Sequence, residues 1–129
     1  MNEPIKTFRD LRTWKKAHEL VLFTYKVTKH FPKEEIFGLV SQMRRAAVSI
    51  TSNIAEGFGR VSKKEKAQFY AISRASVCEL QSQLDVSRDT EMLSPSEYQE
   101  GDFLAIDTHR MLTGLIRSTR NPVLRTSSS

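Results

Sequence analysis

Arg44-Arg45-Ala46-Ala47-Val48-Ser49-Ile50-Thr51-Ser52-Asn53-Ile54-Ala55-Glu56-Gly57-Phe58-Gly59-Arg60 decides the fold. Leu39, Met43, Ala46 or Ala47, Ile50 and Ile54 recur at three and four, the spacing that gathers side chains on one face of an α-helix. Ala46, Ala47, Ser49 and Ala55 flank that face and let a neighbouring helix approach closely. Asn53 and Glu56 place polar groups three apart near its end. Gly57 and Gly59 predict the stop, since glycine takes the left-handed conformation past the last turn without a Cβ clash. A helix of this kind suits the centre of a bundle.

Working outward, a first helix is expected over about residues 11–29, with Leu11, Trp14, His18, Val21, Tyr25 and Thr28 on one stripe. Leu20, Phe23, Val27 and Phe31 form a second stripe beside it. So wide an apolar face predicts either deep burial or contact with another subunit. Pro32 breaks the chain, and Glu34 and Glu35 favour the positive end of the next helix. Ser62-Lys63-Lys64-Glu65 reads as a capping box opening a third helix. Phe69, Ile72 or Ser73, Ser76, Leu80 and Leu84 give that helix its core stripe, with Tyr70, Val77 and Leu84 repeating beside it. Its end is expected near residues 90–93. Ser94-Pro95-Ser96-Glu97 is a second capping box, with proline where a missing N–H costs nothing. The fourth helix carries Tyr98, Leu104, Thr108, Met111 or Leu112, and Leu115, and is expected to fray before Asn121-Pro122. Four helices joined by short loops predict an all-α, antiparallel up-down-up-down four-helix bundle with no strand.

The length of 129 residues fits one domain, taken as residues 1–120 with a disordered tail at 121–129, and suffices to bury about two-thirds of the unfolded surface. A net charge of +5 and a pI of 9.6 favour a polyanion or an acidic surface as partner, against the plainer reading of a basic tail. Cys78 is the one cysteine, so no intramolecular disulfide forms, and its helical setting predicts a small packed residue. The start of the chain lacks the apolar core of a signal peptide, and the longest aliphatic and aromatic run is Leu20-Val21-Leu22-Phe23, far short of the about 20 residues that span a bilayer. A cytoplasmic protein with no membrane partner is expected. No Walker loop, paired CxxC or GxGxxG occurs, so no cofactor is expected.

The bundle order places the charges in space. The start of the first helix, the turn between the second and third, and the end of the fourth fall at one pole. There Lys6, Arg9, Arg12, Lys15 and Lys16 face one acid, Asp10, for a net +4. Arg60, Lys63, Lys64 and Lys66 face Glu65 alone, for +3, and Arg110, Arg117, Arg120 and Arg125 face none. Residues 85–107 oppose them with seven acids against Arg88, a net of −6. Helix dipoles account for acids at the start of the fourth helix and arginines at its end, but they oppose cations where the first and third helices begin. A functional basic pole is therefore preferred over a merely solvated surface.

Lysines and arginines on helix ends hold phosphates by charge and backbone N–H groups, giving affinity without reading sequence. Arg9, Arg12, Lys15, Lys16, Arg60, Lys63, Lys64, Lys66, Arg117 and Arg120 are the candidate contacts. Arg60, beside two glycines, leads them, with capping of helix-end carbonyls as its alternative role. For Arg44 and Arg45 a structural role is expected, one of them pairing with Glu79 or Glu56 across the bundle. Phe8, Trp14 and Phe58 are the aromatic residues near the pole, Trp14 being read as core.

A catalytic reading fails on spacing. Dimetal bundles use Glu-x-x-His pairs, but His18, His30 and His109 follow Lys15, Val27 and Ile106. Glu56 and Glu79 facing inward without histidine suit a transition metal poorly, so no metal site is expected. His18 reads as a hydrogen-bonded core residue. No nucleophile has an evident base, and a non-enzymatic protein is expected.

Arg44-Arg45-Ala46 with Ser52-Asn53-Ile54-Ala55-Glu56-Gly57 and Arg60 resembles the signature of a bacterial four-helix-bundle family, the ribosomal RNA intervening-sequence proteins, similar in fold to the accessory proteins of diversity-generating retroelements. The resemblance begins at Phe8-Arg9-Asp10-Leu11 and Trp14 and continues through Ser62, Phe69, Ala75-Ser76 and Glu79-Leu80-Gln81-Ser82-Gln83-Leu84, covering roughly residues 8–117. Thr51 and Ala75 depart from it, standing where the family more usually has proline and glycine. It implies no settled biochemical activity. It does imply structured RNA as the polyanion and a ring, a homopentamer, in which aligned basic poles would add their contacts through avidity. The competing reading is an assembly or scaffold protein whose basic pole docks an acidic protein.

Overall fold

The computed structural model describes residues 4–120. The expectations for Asn121-Pro122, for the tail and for Arg125 lie outside them. Four helices, α1 (Arg12–Thr28), α2 (Ser41–Phe58), α3 (Lys63–Asp89) and α4 (Pro95–Arg120), make an all-α bundle, with no strand among the described residues. Each packs against two others, α2 on α1 and α3, and α4 on α3 and α1. Cross-helix contacts give the direction of every neighbour. Arg44 reaches Thr28, Ser49 meets Ser76 while Met43 meets Ser87, Tyr98 meets Asp85 while Thr113 meets Arg74, and Lys16 meets Asp107. All four neighbouring pairs are antiparallel.

The core follows the three-four spacing. Leu20, Met43, Ile50, Ile54, Leu80, Leu84 and Leu112 are fully buried, each contributing about 1.5–3 kcal/mol of apolar transfer. Tyr70 and Val77 join Leu84 inside, because α3 is covered by α2 on one side and α4 on the other. On α1 the core stripe is Ala17, Leu20, Phe23, Thr24 and Val27. The other stripe stays at the edge except at buried Thr28, with Leu11, Trp14 and Val21 half-buried and Tyr25 exposed. His18 is exposed too, and stacks on Trp14 at 4.8 Å instead of filling the core. Buried Thr24, Thr28, Ser87 and Thr108 each donate to the carbonyl four residues back in their own helix.

The helix ends hold most of the corrections. At Gly57 and Gly59 neither residue is left-handed: Gly57 is still helical and Gly59 has φ −78° and ψ −8°. Gly57 answers to packing instead. A Cβ there would stand 2.7 Å from Tyr70 Cε1 and 3.1 Å from Phe69 Cβ. The end of α2 is closed by Lys66, whose Nζ donates to Phe58 O at 2.7 Å and Gly57 O at 3.3 Å. Left-handed backbone appears instead at Glu91, φ 63°, just past α3. Ser94 and Glu97 form both halves of the expected box, Ser94 N donating to Glu97 Oε1 at 2.9 Å and Glu97 N to Ser94 Oγ at 3.1 Å. Between α1 and α2 the chain makes a 3-10 turn at Lys33–Glu35 and a π turn at Ile36–Val40, with Glu35 accepting from Leu39 N.

The structural polar residues also depart from expectation. Arg44 does not pair with Glu79 or Glu56. Its Nε donates to Thr28 Oγ1 at 2.9 Å and its guanidinium covers the Tyr25 ring at 4.6 Å, tying α2 to the end of α1. Arg45, Glu56 and Glu79 are exposed, so the carboxylates do not face inward. Glu79 instead accepts from Gln83 Nε2 at 3.2 Å. Asn53 Nδ2 donates to Ser49 O and Oγ, and Ser49 Oγ meets Ser76 Oγ at 2.9 Å, a small polar bridge between α2 and α3. Cys78 is exposed, because it lies on the side of α3 away from Val77 and Leu80.

Candidate nucleic-acid interface

Lys63 and Lys64 are the first two residues of α3, whose N-cap Ser62 accepts from Glu65 N at 3.0 Å. Both lysines are exposed. Because α4 runs antiparallel to α3, its last turn ends beside them. A groove of about 500 Å³ opens between the two helices, lined by Lys63, Lys64, Ala67, Gln68, Ala71, Thr119 and Arg120. Its lining holds three cations and no acid. The α3 N-terminus adds unpaired N–H groups to the same corner.

A second cluster lies along α1 and α4, where Arg12, Lys15, Lys16, Arg110 and Met111 share a groove with Glu19 and Asp107. Two acids offset two of its four cations. Lys16 Nζ pairs with Glu19 at 3.4 Å and Asp107 at 3.8 Å, and Arg110 also pairs with Asp107. Of these, the Lys16–Asp107 pair joins α1 to α4. Arg117 stands exposed on α4, three residues before Arg120.

The α2–α3 turn carries the third cluster. Arg60 Nη2 pairs with Glu56 Oε2 at 3.0 Å, and its guanidinium lies 4.5 Å from the Phe69 ring centre. Carbonyl capping, the alternative role for Arg60, falls to Lys66, whose ammonium also sits 5.4 Å above the Phe58 ring. Facing this turn, Phe8 lines a groove of about 580 Å³ with Ser52, Ala55, Glu56, Gly59 and Arg60.

Phe8 is held there by a turn that spacing did not single out. Phe8–Asp10 form one 3-10 turn capped by Thr7, whose Oγ1 accepts from Arg9 N at 3.2 Å. Asp10 Oδ2 accepts from Thr7 N at 3.0 Å and Lys6 N at 2.9 Å. Those backbone donors, from Thr7 and then Lys6, with the Lys15 and Lys6 charges, hold the Asp10 carboxyl below its ordinary 3.8. Arg9 covers the Phe8 ring at 4.5 Å. Phe8 in turn meets Trp14 edge-on at 5.3 Å, and Trp14 stacks on His18. Trp14 and His18 are four apart on α1, which was the available signal; Phe8 joins them only through the turn.

The poles thus hold the expected cations, but the structure sorts them. Lys63, Lys64 and Arg120 converge on one acid-free groove. Lys16 is paired with Glu19 and Asp107 in the groove it shares with Arg12 and Lys15, and Arg9, Arg60 and Lys66 lie over aromatic rings. The family model described as 23S rRNA-intervening sequence protein matches residues 9–114. The chain belongs to this family. Among solved structures, a protein of unknown function from the S23 ribosomal protein family of Bacteroides thetaiotaomicron has the same fold, with a TM-score of 0.76 and 20% identity over 81% of this chain and 95% of that one. No curated protein matches the chain. Among the described residues, no helix is long and apolar enough to cross a membrane, and no group of three or more His, Cys, Asp or Glu side chains is placed to hold a metal ion.

Proposed function

We propose that this member of the 23S rRNA-intervening sequence protein family is a non-enzymatic, cytoplasmic RNA-binding bundle that grips structured RNA by its phosphates at the basic pole. The observation that carries this reading is the groove where Lys63, Lys64 and Arg120 converge without an acid. Cations at the start of α3 work against the helix dipole, so they cost stability and call for a partner. The family's name, 23S rRNA-intervening sequence protein, makes RNA the first polyanion to test. The other pole carries the six acids of residues 85–102, which orient the molecule toward a polyanion, whereas Asp107 lies beside Lys16.

The bundle acts as one subunit of a homo-oligomer, and the family resemblance makes a pentameric ring the form to test. Ile72 and Val86 on α3 and Phe103 and Ile106 on α4 are large exposed apolar side chains that self-association would bury. Aligned basic poles would then combine weak phosphate contacts into avidity.

The test is fluorescence anisotropy of a labelled, structured ribosomal RNA fragment at several salt concentrations. Affinity falling steeply with log salt, and lost in Lys63→Glu/Lys64→Glu with assembly intact by light scattering, supports the reading. Unchanged affinity in that variant overturns the placement, and absence of binding at low salt turns the pole over to an acidic protein partner.

A further inference from the structure

The two grooves flanking the α2–α3 turn differ in chemistry. The Lys63–Arg120 groove has three cations and no acid, as a phosphate requires. The Phe8 groove has an aromatic ring, Ala55, the Glu56 carboxylate and the Arg60 guanidinium. A phosphate there would meet Glu56, whose side chain is 58% exposed. A nucleobase meets the same carboxylate without repulsion. It offers neutral N–H edges that a carboxylate accepts, and flat faces that stack on aromatic rings and guanidinium planes. The volume of about 580 Å³ lies within the usual range for small-molecule sites.

The walls are set in place before any ligand arrives. Phe8 is locked by the Thr7–Asp10 cap and by its edge contact with Trp14. Arg60 is locked between Glu56 and Phe69. Gly59 leaves the groove open: a Cβ on it would meet nothing closer than Glu56 O at 3.7 Å and Ala55 O at 3.8 Å. The fold therefore tolerates a side chain at Gly59, which lines the groove. Arg60 and Lys63 are three residues apart, at most about 11 Å of chain, so one strand can reach both grooves.

We propose that the Phe8 groove takes an unpaired base of a single-stranded nucleic acid segment whose phosphates lie on Lys63, Lys64 and Arg120. This rests on the phosphate reading above. It changes the ligand from any polyanion to a strand with splayed bases, which is how loops and bulges of RNA present themselves.

Trp14 is the one tryptophan in the chain and touches Phe8, so its emission reports on the groove. The protein is titrated with a short oligoadenylate and with inorganic polyphosphate of matching charge, following Trp14 emission and displacement of labelled RNA. Oligoadenylate is expected to change Trp14 emission saturably, while polyphosphate displaces RNA with emission unmoved. Phe8→Leu, which keeps an apolar contact but removes the ring face, and Gly59→Leu, which fills the groove, each weaken oligoadenylate about tenfold and leave polyphosphate binding unchanged. Equal emission changes with both polymers, or oligoadenylate affinity unmoved in both variants, overturns the base site and leaves the phosphate groove standing. Failure of both polymers to bind at low salt overturns the base site together with the phosphate reading, and binding of polyglutamate in their place hands the pole to an acidic protein.

Discussion

The Tyr70 ring of α3 lies against Gly57 of α2 so closely that a methyl group on Gly57 would approach Cε1 to 2.7 Å and Cδ1 to 2.9 Å. Tyr70 is only 3% exposed, and the same burial pushes its hydroxyl above its ordinary 10.0. Gly57→Ala gains about 1 kcal/mol of helix propensity but overpacks a filled site at a cost of about 1–3 kcal/mol. A net loss is expected, seen as a lower thermal midpoint. An unchanged or raised midpoint would show that α3 slides aside freely.

At Glu91 the opposite substitution is favourable. Its φ of 63° puts an L-residue in left-handed backbone, a strain of about 1–2 kcal/mol that glycine does not carry. Glycine's greater freedom in the unfolded chain returns about 0.5–1 kcal/mol of that. Glu91→Gly should therefore stabilise the bundle by up to about 1 kcal/mol in urea unfolding, with no change in the dependence on denaturant.

Lys63→Glu/Lys64→Glu separates function from folding by sign. Acids at the first turn of α3 suit its dipole, so stability should rise by about 0.3–1 kcal/mol per site while RNA affinity collapses and the salt slope shrinks by about 2. Lys66→Met should do the reverse for stability, because it leaves Phe58 O and Gly57 O without the ammonium that caps them. Its cost should be about 1 kcal/mol in the same assay.

Asp10 makes the Phe8 turn acid-sensitive. Its carboxyl is held below 3.8 in the fold by the Thr7 and Lys6 N–H groups, so its contribution is present above the unfolded value and lost as pH falls through the folded one. Trp14 emission should change in that window below about pH 4 while far-ultraviolet circular dichroism stays constant, and Asp10→Asn should abolish the transition. A transition persisting in Asp10→Asn would assign it to other carboxyls.

Much of the fold was legible in residue order. The three-four spacing of Met43, Ile50 and Ile54, the box at Ser94 and Glu97, and the wide α3 face all reappear, because helix periodicity and caps are local properties carried by neighbours in the chain. Alternating helix directions let the charges be assigned to poles, but Asp107, assigned to the acidic one, lies beside Lys16 at the basic one. What tertiary structure decided were pairings across helices, where distance in the chain says nothing about distance in space. Gly57 looked like a stop and is a seat for Tyr70; one of Arg44 and Arg45 was expected to pair with Glu79 or Glu56, and Arg44 reaches Thr28; His18 looked internal and stacks outside on Trp14. Sorting of the cations is of the same kind. Lys63, Lys64 and Arg120 share a groove because α4 ends beside the start of α3, whereas Lys16 meets Asp107 because α1 and α4 lie antiparallel. Charge is written in the residues, but whether it is free to meet a phosphate depends on which helix lies next to it.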